Sequence, residues 1–317
     1  AMLPDAWEVR LVDRNVNVLD DADLEWADLV MIGSMLPQAF DALRLLRLCR
    51  DRGVPVVVGG PDPTSRPEIY ALADFAVLGE AEGAIDAFLE DWRGGAVSGV
   101  YTAPKFTIDV TKTPAPRYEL LDFKNYIYIG VQFSRGCPFM CEFCDIIELY
   151  GRKPRAKETG QLLAELDRLY NLGYRGHVDF VDDNLIGNKK AVKLFLPHLI
   201  AWQKERGYPF EFSTEASLNL ADDSELLRLL SEARFFVVFI GIESPDDDVL
   251  NATRKKQNSK RDIAENVRTI YGYGIVVIGG FIVGFDAEKA NVAQATANLI
   301  EAATIPVAMV GLLYALP

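Results

Sequence analysis

The stretch "YIYIGVQFSRGCPFMCEFC" (126–144) decides how this chain is read. Its first half is aromatic and branched, the composition of a strand. Its second half places Cys137, Cys141 and Cys144 within eight residues, and only Cys49 remains elsewhere. Four cysteines in 317 residues are no disulfide framework. With no secretory signal at the start, a reducing, cytoplasmic setting is expected, where clustered cysteines bind metal or do chemistry. Thiolates select zinc, copper(I) or iron–sulfur clusters. A closed zinc site takes four ligands. The fourth would have to be Cys49, His177 or His198, and the two histidines form no ligand pair. A cluster held by three thiolates leaves one iron open for another ligand, which accounts for the number. Cys49, inside the amphipathic "LLRLCR", reads as a small core residue.

Downstream of this stretch, strand and helix patterns alternate. Strands are expected at 126–133, 177–182, 210–214, 235–242, 275–283 and 307–314. Helices are expected at 158–172, 189–206, 222–233, 259–273 and 288–303. Six strands alternating with five helices predict a partial parallel barrel. Upstream the same alternation runs through strands at 7–13, 28–34, 54–60 and 74–80, with helices at 22–27, 39–53, 66–73 and 83–95. That order predicts an α/β, doubly wound parallel sheet. Residues 98–125, Pro-rich and without period, read as a linker, which gives domains at 1–97 and 126–317. Ala1 before Met2 reads as a tag remnant, and both ends read as cut. In either architecture, ligands gather at the carboxyl ends of the strands.

A net charge of −13 argues against a nucleic-acid partner. The basic run "RKPRAK" (152–157) reads as a solvated loop. No run approaches the ~18 apolar residues of a membrane span, so the expected association with a membrane is at most peripheral.

The spacing Cys137-x-x-x-Cys141-x-x-Cys144 on a loop after a barrel's first strand resembles the radical S-adenosylmethionine (SAM) superfamily. The resemblance implies a [4Fe-4S] cluster on the three cysteines, with SAM on its open iron and Phe143 against the adenine. "DFVDDNLIG" (179–187) places Asp182, Asp183 and Asn184 where that family contacts the SAM amino group; helix capping is the plainer role for the same residues. Glu215, Glu243 and Ser244 end later strands and suit a ribose or amino group. "GFIVGFDAE" (280–288) is similar to the family's adenine strand through Gly280, Ile282 and Gly284, although Ala287 stands where an acid is usual. Arg135 and the run 254–256 are candidates to balance the SAM carboxylate, and the run also reads as solvated loop charge.

The first domain has no dinucleotide or P-loop motif. "GSML" (33–36) and "VVVGGPDPT" (56–64) resemble cobalamin-binding domains. That likeness implies cobalamin contacts at Ser34, Leu36, Gly59, Gly60, Asp62, Thr64 and Glu80. Together the two halves resemble cobalamin-dependent radical SAM enzymes, and the wording of the motifs is similar to hopanoid and bacteriochlorophyll methylases. The resemblance implies methyl transfer to an unactivated carbon of a lipid, tetrapyrrole or other small molecule through a 5′-deoxyadenosyl radical. It also implies a reductant partner such as flavodoxin or ferredoxin. Three rivals stand beside this: a cobalamin-using cyclase or rearrangement enzyme, a cobalamin carrier or sensor with a structural iron–sulfur site, and a zinc protein.

Overall fold

The computed structural model describes residues 1–316; Pro317, the last residue of the expected second domain, lies outside them. The chain forms two compact units, Ala1–Pro114 and Ala115–Leu316.

The first unit runs α1 (Asp21–Trp26), β1 (Val30–Gly33), α2 (Ala39–Asp51), β2 (Val56–Gly59), α3 (Pro61–Ser65), β3 (Phe75–Leu78), α4 (Ile85–Arg93) and β4 (Gly99–Thr102). The sheet order is β1-β2-β3-β4, and every pairing is parallel. Side chains alternate across a strand, so "VVV" serves both faces. Val56 and Val58 pack with Leu46, Cys49 and Tyr70, whereas Val57 packs with Phe75, Phe88 and Leu89. Two cores on one sheet are the doubly wound arrangement expected, and Cys49 is a core residue.

Three expectations need correction here. No strand forms at 7–13. Side chains make the contacts there instead: Arg10 stacks 3.9 Å over Trp26, and Arg14, just after the segment, donates from Nη2 to Asp41 at 2.7 Å. The helix expected at 66–73 is a short 3₁₀ turn, Pro67–Tyr70. The expected linker begins inside the first unit, since β4 pairs with β3.

The second unit begins with β5 (Ile129–Val131), then a two-residue hairpin of β6 (Ser134–Arg135) and β7 (Arg155–Ala156) with the short α5 (Ile146–Leu149) between them. It continues α6 (Thr159–Asn171), β8 (Gly176–Phe180), α7 (Lys189–Glu205), β9 (Phe210–Ala216), α8 (Ser224–Glu232) and β10 (Phe235–Glu243). It ends α9 (Asp247–Ala252), α10 (Ile263–Tyr271), β11 (Val276–Val283), α11 (Val292–Ala303) and β12 (Val307–Leu312). The large sheet has the order β12-β11-β10-β9-β8-β5, parallel throughout, and its end strands do not pair with each other. It is therefore an open, partial (β/α)6 barrel.

Short polar residues start its helices by accepting from free backbone N–H groups. Asn188 caps α7, Asp223 caps α8, Asp246 caps α9 and Asp262 caps α10. Between helices and sheet lies an aromatic core in which Phe180 packs against Phe195, Phe212 and Phe235 with ring centroids 6.1, 5.3 and 5.2 Å away. Burying each such ring contributes roughly 1.5–3 kcal/mol. The parallel sheet thus sends all its exit loops to one edge, where the cysteines lie.

Candidate functional site

The cysteine loop is built from its backbone outward. Gly136 precedes the first thiol with φ +93°, and a Cβ there would lie 2.8 Å from Gly151 O and 3.1 Å from Tyr150 O. Only glycine suits that conformation and that approach. Cys137 N donates to Gly151 O at 3.2 Å, closing the loop. The fully buried Asp182, after β8, holds its near end. Its oxygens accept from Phe133 N at 2.9 Å, Ser134 N at 2.5 Å and Ser134 Oγ at 2.6 Å. Asp183 Oδ2 accepts from Gly136 N at 2.8 Å. The far side is held by the loop after α9, where Thr253 O accepts from Glu142 N at 3.0 Å.

Cys141 is buried; Cys137 and Cys144 are half-buried. Burial raises the Cys137 thiol, with the charge of Cys141 adding to it. Burial, then Cys141, Asp145 and Cys137, pushes Cys144 up to about 11. Cys137 and Cys144 thus sit in surroundings that favour the neutral thiol, and a bound metal must drive their deprotonation. Two amides approach the sulfurs: Asn184 Nδ2 is 3.9 Å from Cys137 Sγ, and Gln257 Nε2 is 3.5 Å from Cys141 Sγ. Among the described residues, no three His, Cys, Asp or Glu side chains are placed to hold a single metal ion.

Around the loop stand the other exit segments. Asn184 is buried and also donates to Ser217 Oγ at 3.1 Å. Glu215, near the end of β9, is exposed to solvent, although protein packs around its carboxyl. Burial, then the carboxylates of Asp179, Asp183 and Asp182, pushes it up to about 7. Glu243 is buried and its Oε1 accepts from Lys255 Nζ at 2.7 Å. Ser244 is fully buried, and its Oγ accepts from Asp246 N at 3.2 Å at the turn into α9. Phe143 lies 5.7 Å from Phe285 across the cysteine loop and the exit of β11. Gly280 leaves room for Phe239, whose Cζ would lie 2.6 Å from an added Cβ. Ile282 is half-buried, and Gly284, at φ +106°, donates to Glu288 Oε2 at 2.8 Å. An acid therefore closes this loop one position beyond Ala287.

Two basic runs read as solvated are buried in part. Lys157 Nζ donates to Glu165 at 2.6 Å with both side chains at most 5% exposed. Lys255 is paired to Glu243, as above. Lys255 belongs to the run 254–256 expected to balance the SAM carboxylate, and its partner here is Glu243 instead; Gln257 and Asn258 are further candidate residues that the sequence did not single out. Their one signal is position, in the loop that follows α9.

In the first unit, the predicted residues meet at the carboxyl edge of the sheet. Ser34 N donates to Gly59 O at 3.2 Å, and Asp62 N donates to Ser34 O at 3.2 Å. Thr64 Oγ1 donates to Gly60 O at 2.7 Å and accepts from Gly79 N at 2.9 Å. Asp62 is turned inward: Oδ2 accepts from Tyr70 OH at 2.5 Å, and Oδ1 accepts from Arg66 Nε at 2.8 Å. Tyr70 OH also lies 3.0 Å from Ser34 Oγ, and burial with its Asp62 bond pushes it up to about 12. Gly60 (φ +96°) brings its Cα so near Ser34 that a Cβ would lie 2.9 Å from Ser34 O. Leu36 is half-buried and Glu80 is buried. The polar atoms of Ser34 and Asp62 thus shape this edge through Tyr70.

A parallel partial barrel whose first exit loop gathers three thiols, one buried and two half-buried, beside amides and acids, carries the donor set of a thiolate-ligated metal group at its mouth. The family model for the Radical SAM superfamily matches residues 131–300, and that for the B12 binding domain matches residues 1–89. The chain belongs to the radical SAM superfamily. It is 48% identical over 318 residues to an uncharacterized methyltransferase of Synechocystis sp., covering 100% of this chain and 59% of that protein. It is 41% identical over 325 residues to the hopanoid C-2 methylase of Rhodopseudomonas palustris, covering 100% and 61%. The chain thus spans about 60% of the length of these curated relatives. Its fold matches the radical SAM methyltransferase TsrM of Kitasatospora setae, solved with cobalamin and a [4Fe-4S] cluster. The TM-score is 0.74 at 15% identity, covering 92% of this chain and 67% of that one.

Membership implies a [4Fe-4S] cluster and SAM in the second unit, and the B12 binding domain implies cobalamin in the first. The second-unit residues fit. Asn184 Oδ1, Gln257 Oε1 and Asn258 Oδ1 are buried acceptors with no hydrogen-bond partner, a costly state that an arriving donor relieves. The acids beside them favour a cation, and SAM carries both an ammonium and a sulfonium.

Proposed function

We propose that the chain is the two-cofactor portion of a cobalamin-dependent radical SAM methyltransferase acting on an unactivated carbon of a lipid or tetrapyrrole. The observation that carries this reading is the 41% identity to a hopanoid C-2 methylase running through the whole chain, cysteine loop included. When bound, the cluster and SAM supply hydrogen-atom abstraction, and cobalamin supplies a methyl group.

The chain's own residues hold and orient. Cys137, Cys141 and Cys144 would ligate the cluster. Asn184 Oδ1, with Asp183 and Glu215 near it, would accept from the SAM amino group. Phe143, Gly280, Ile282 and Gly284 would flank its adenine, with Glu288 fixing the β11 exit. Glu243 would act in its ion pair with Lys255. Asp182 and Ser244 act one step back, by holding the backbone of the cysteine loop and of the α9 turn. In the first unit, Leu36, Gly59, Gly60, Thr64 and Glu80 would line the cobalamin edge that Ser34 and Asp62 brace. Enclosure keeps water from reactive species. A flavodoxin- or ferredoxin-type donor would supply electrons in the cytoplasm. No helix among the described residues is long and apolar enough to cross a membrane.

The test is an anaerobic assay of the full-length protein with methyl-labelled SAM and candidate lipid and tetrapyrrole acceptors. Label in the product supports methyl transfer. Formation of 5′-deoxyadenosine with an unlabelled, ring-altered product would replace this reading with a cyclase.

A further inference from the structure

The loop after α9 touches the cysteine loop with groups to which the proposed reaction gives no role toward the cluster itself. Gln257 is 9% exposed; its Nε2 lies 3.5 Å from Cys141 Sγ, and its Oε1 has no partner. Lys255 is 8% exposed, and its Nζ lies 5.7 Å from the Phe143 ring centroid, between Cys141 and Cys144 in sequence. Asn258 pins the loop by donating to Gly241 O at 2.8 Å and Ile242 O at 3.1 Å.

Much of the local backbone is shaped around Lys255. Its partner Glu243 has φ +70°, a left-handed conformation that non-glycine residues adopt at a cost. Glu243 sits where the β10–β11 register shifts, at a bulge that re-aims its side chain. Gly241 makes the space: a Cβ there would lie 2.3 Å from Glu243 Oε1 and 3.1 Å from Lys255 Nζ. Strain, bulge and glycine converge on one outcome, an ammonium fixed beside the cysteine loop. A buried ion pair alone rarely gains stability over an apolar pair, so stability is a weak reason for this construction.

We propose that Gln257 and Lys255 set the reduction potential of the cluster held by Cys137, Cys141 and Cys144. This rests on the cluster reading above. Reduction adds one electron, taken from an external one-electron donor, and makes the cluster more negative. An N–H directed at a ligating sulfur and a fixed ammonium nearby both stabilise the reduced form more than the oxidised one. Both side chains therefore raise the potential and ease the electron's entry.

The test is redox potentiometry, followed by electron paramagnetic resonance, on the anaerobically reconstituted full-length protein. The variants are Gln257→Leu, Lys255→Met, Lys255→Arg and the double Lys255→Met/Glu243→Gln. At the wild-type midpoint, the reduced-to-oxidised ratio is expected to fall about tenfold in Q257L and in K255M, a midpoint about 59 mV more negative for one electron. K255R stays near wild type. The double variant, which leaves no buried carboxylate unpaired, keeps the shift. Iron-loaded Q257L and double variants with ratios within about twofold of wild type would overturn the inference. So would a return to wild type in the double variant alone, for Lys255. A wild-type protein that takes up no iron would instead sink the cluster reading itself.

Discussion

Replacing Gly136 by alanine tests how the cysteine loop is built. Gly136 has φ +93°, and a Cβ would meet Gly151 O at 2.8 Å, Tyr150 O at 3.1 Å and Lys153 O at 3.3 Å. All three are backbone atoms of the strand of loop that returns to β7, so no flexible side chain can give way. The left-handed conformation costs an alanine roughly 1–2 kcal/mol, and forcing a methyl into a packed site costs about 1–3 kcal/mol. Together that is about 2–5 kcal/mol, with roughly 2–4 °C in Tm per kcal/mol for a unit of this size. If the loop gives way first, Tm moves less and metal binding suffers instead. The assay is thermal unfolding of the apo protein beside iron content after anaerobic reconstitution. Gly160→Ala is the control of opposite sign. Gly160 lies in α6 with nothing within 4 Å of an added Cβ, and alanine there should stabilise by up to about 1 kcal/mol. A Gly136→Ala protein with wild-type Tm and full iron content would refute the account of the loop.

Lys157→Met should destabilise the protein by about 3–5 kcal/mol, since it strands Glu165, whose side chain is 1% exposed. The double variant Lys157→Met/Glu165→Leu should recover most of that loss in a urea-denaturation cycle, and an equal loss in both would contradict the pairing. Tyr70→Phe removes the hydroxyl between Ser34 and Asp62 and should cost about 1–3 kcal/mol, read as a lower unfolding midpoint of the first unit. Glu215 is raised from 4.5 to about 7 in the folded protein, foremost by burial. A raised acid favours the folded state below its unfolded value, and that contribution is lost as pH rises through about 7. Glu215→Gln should therefore flatten the decline in urea midpoint between pH 4.5 and 7; an unchanged slope would place the titration elsewhere.

Much of the architecture was legible because period carries it. Every expected barrel strand and helix appears, within a few residues, since each has one face to bury. The segment 7–13 misled because its alternation is real but its Arg10 stacks on Trp26, and the next residue beyond it, Arg14, ties to Asp41, with no neighbouring strand paired. The β6–β7 hairpin and α9 were invisible, being two to six residues long with no period to detect. Of the site, the thiols, Asn184 and Glu215 were legible from their places at strand ends. Tyr70 was not, because a lone aromatic in a turn carries no sign of the two polar partners that fold over it. Lys157 and Gln257 were not, and Lys255 was legible only as one charge of the run 254–256, because a charged run looks solvated until tertiary structure supplies a buried carboxylate or a sulfur beside it.

The central claim is that three thiols hold a cluster whose remaining iron takes SAM. It is tested most directly by the electron paramagnetic resonance spectrum of the reduced, reconstituted protein with and without SAM. The account predicts a reduced iron–sulfur signal whose g-values shift when SAM is added, and its loss in Cys141→Ala. A signal indifferent to SAM, or a protein that takes up zinc in place of iron, would contradict it.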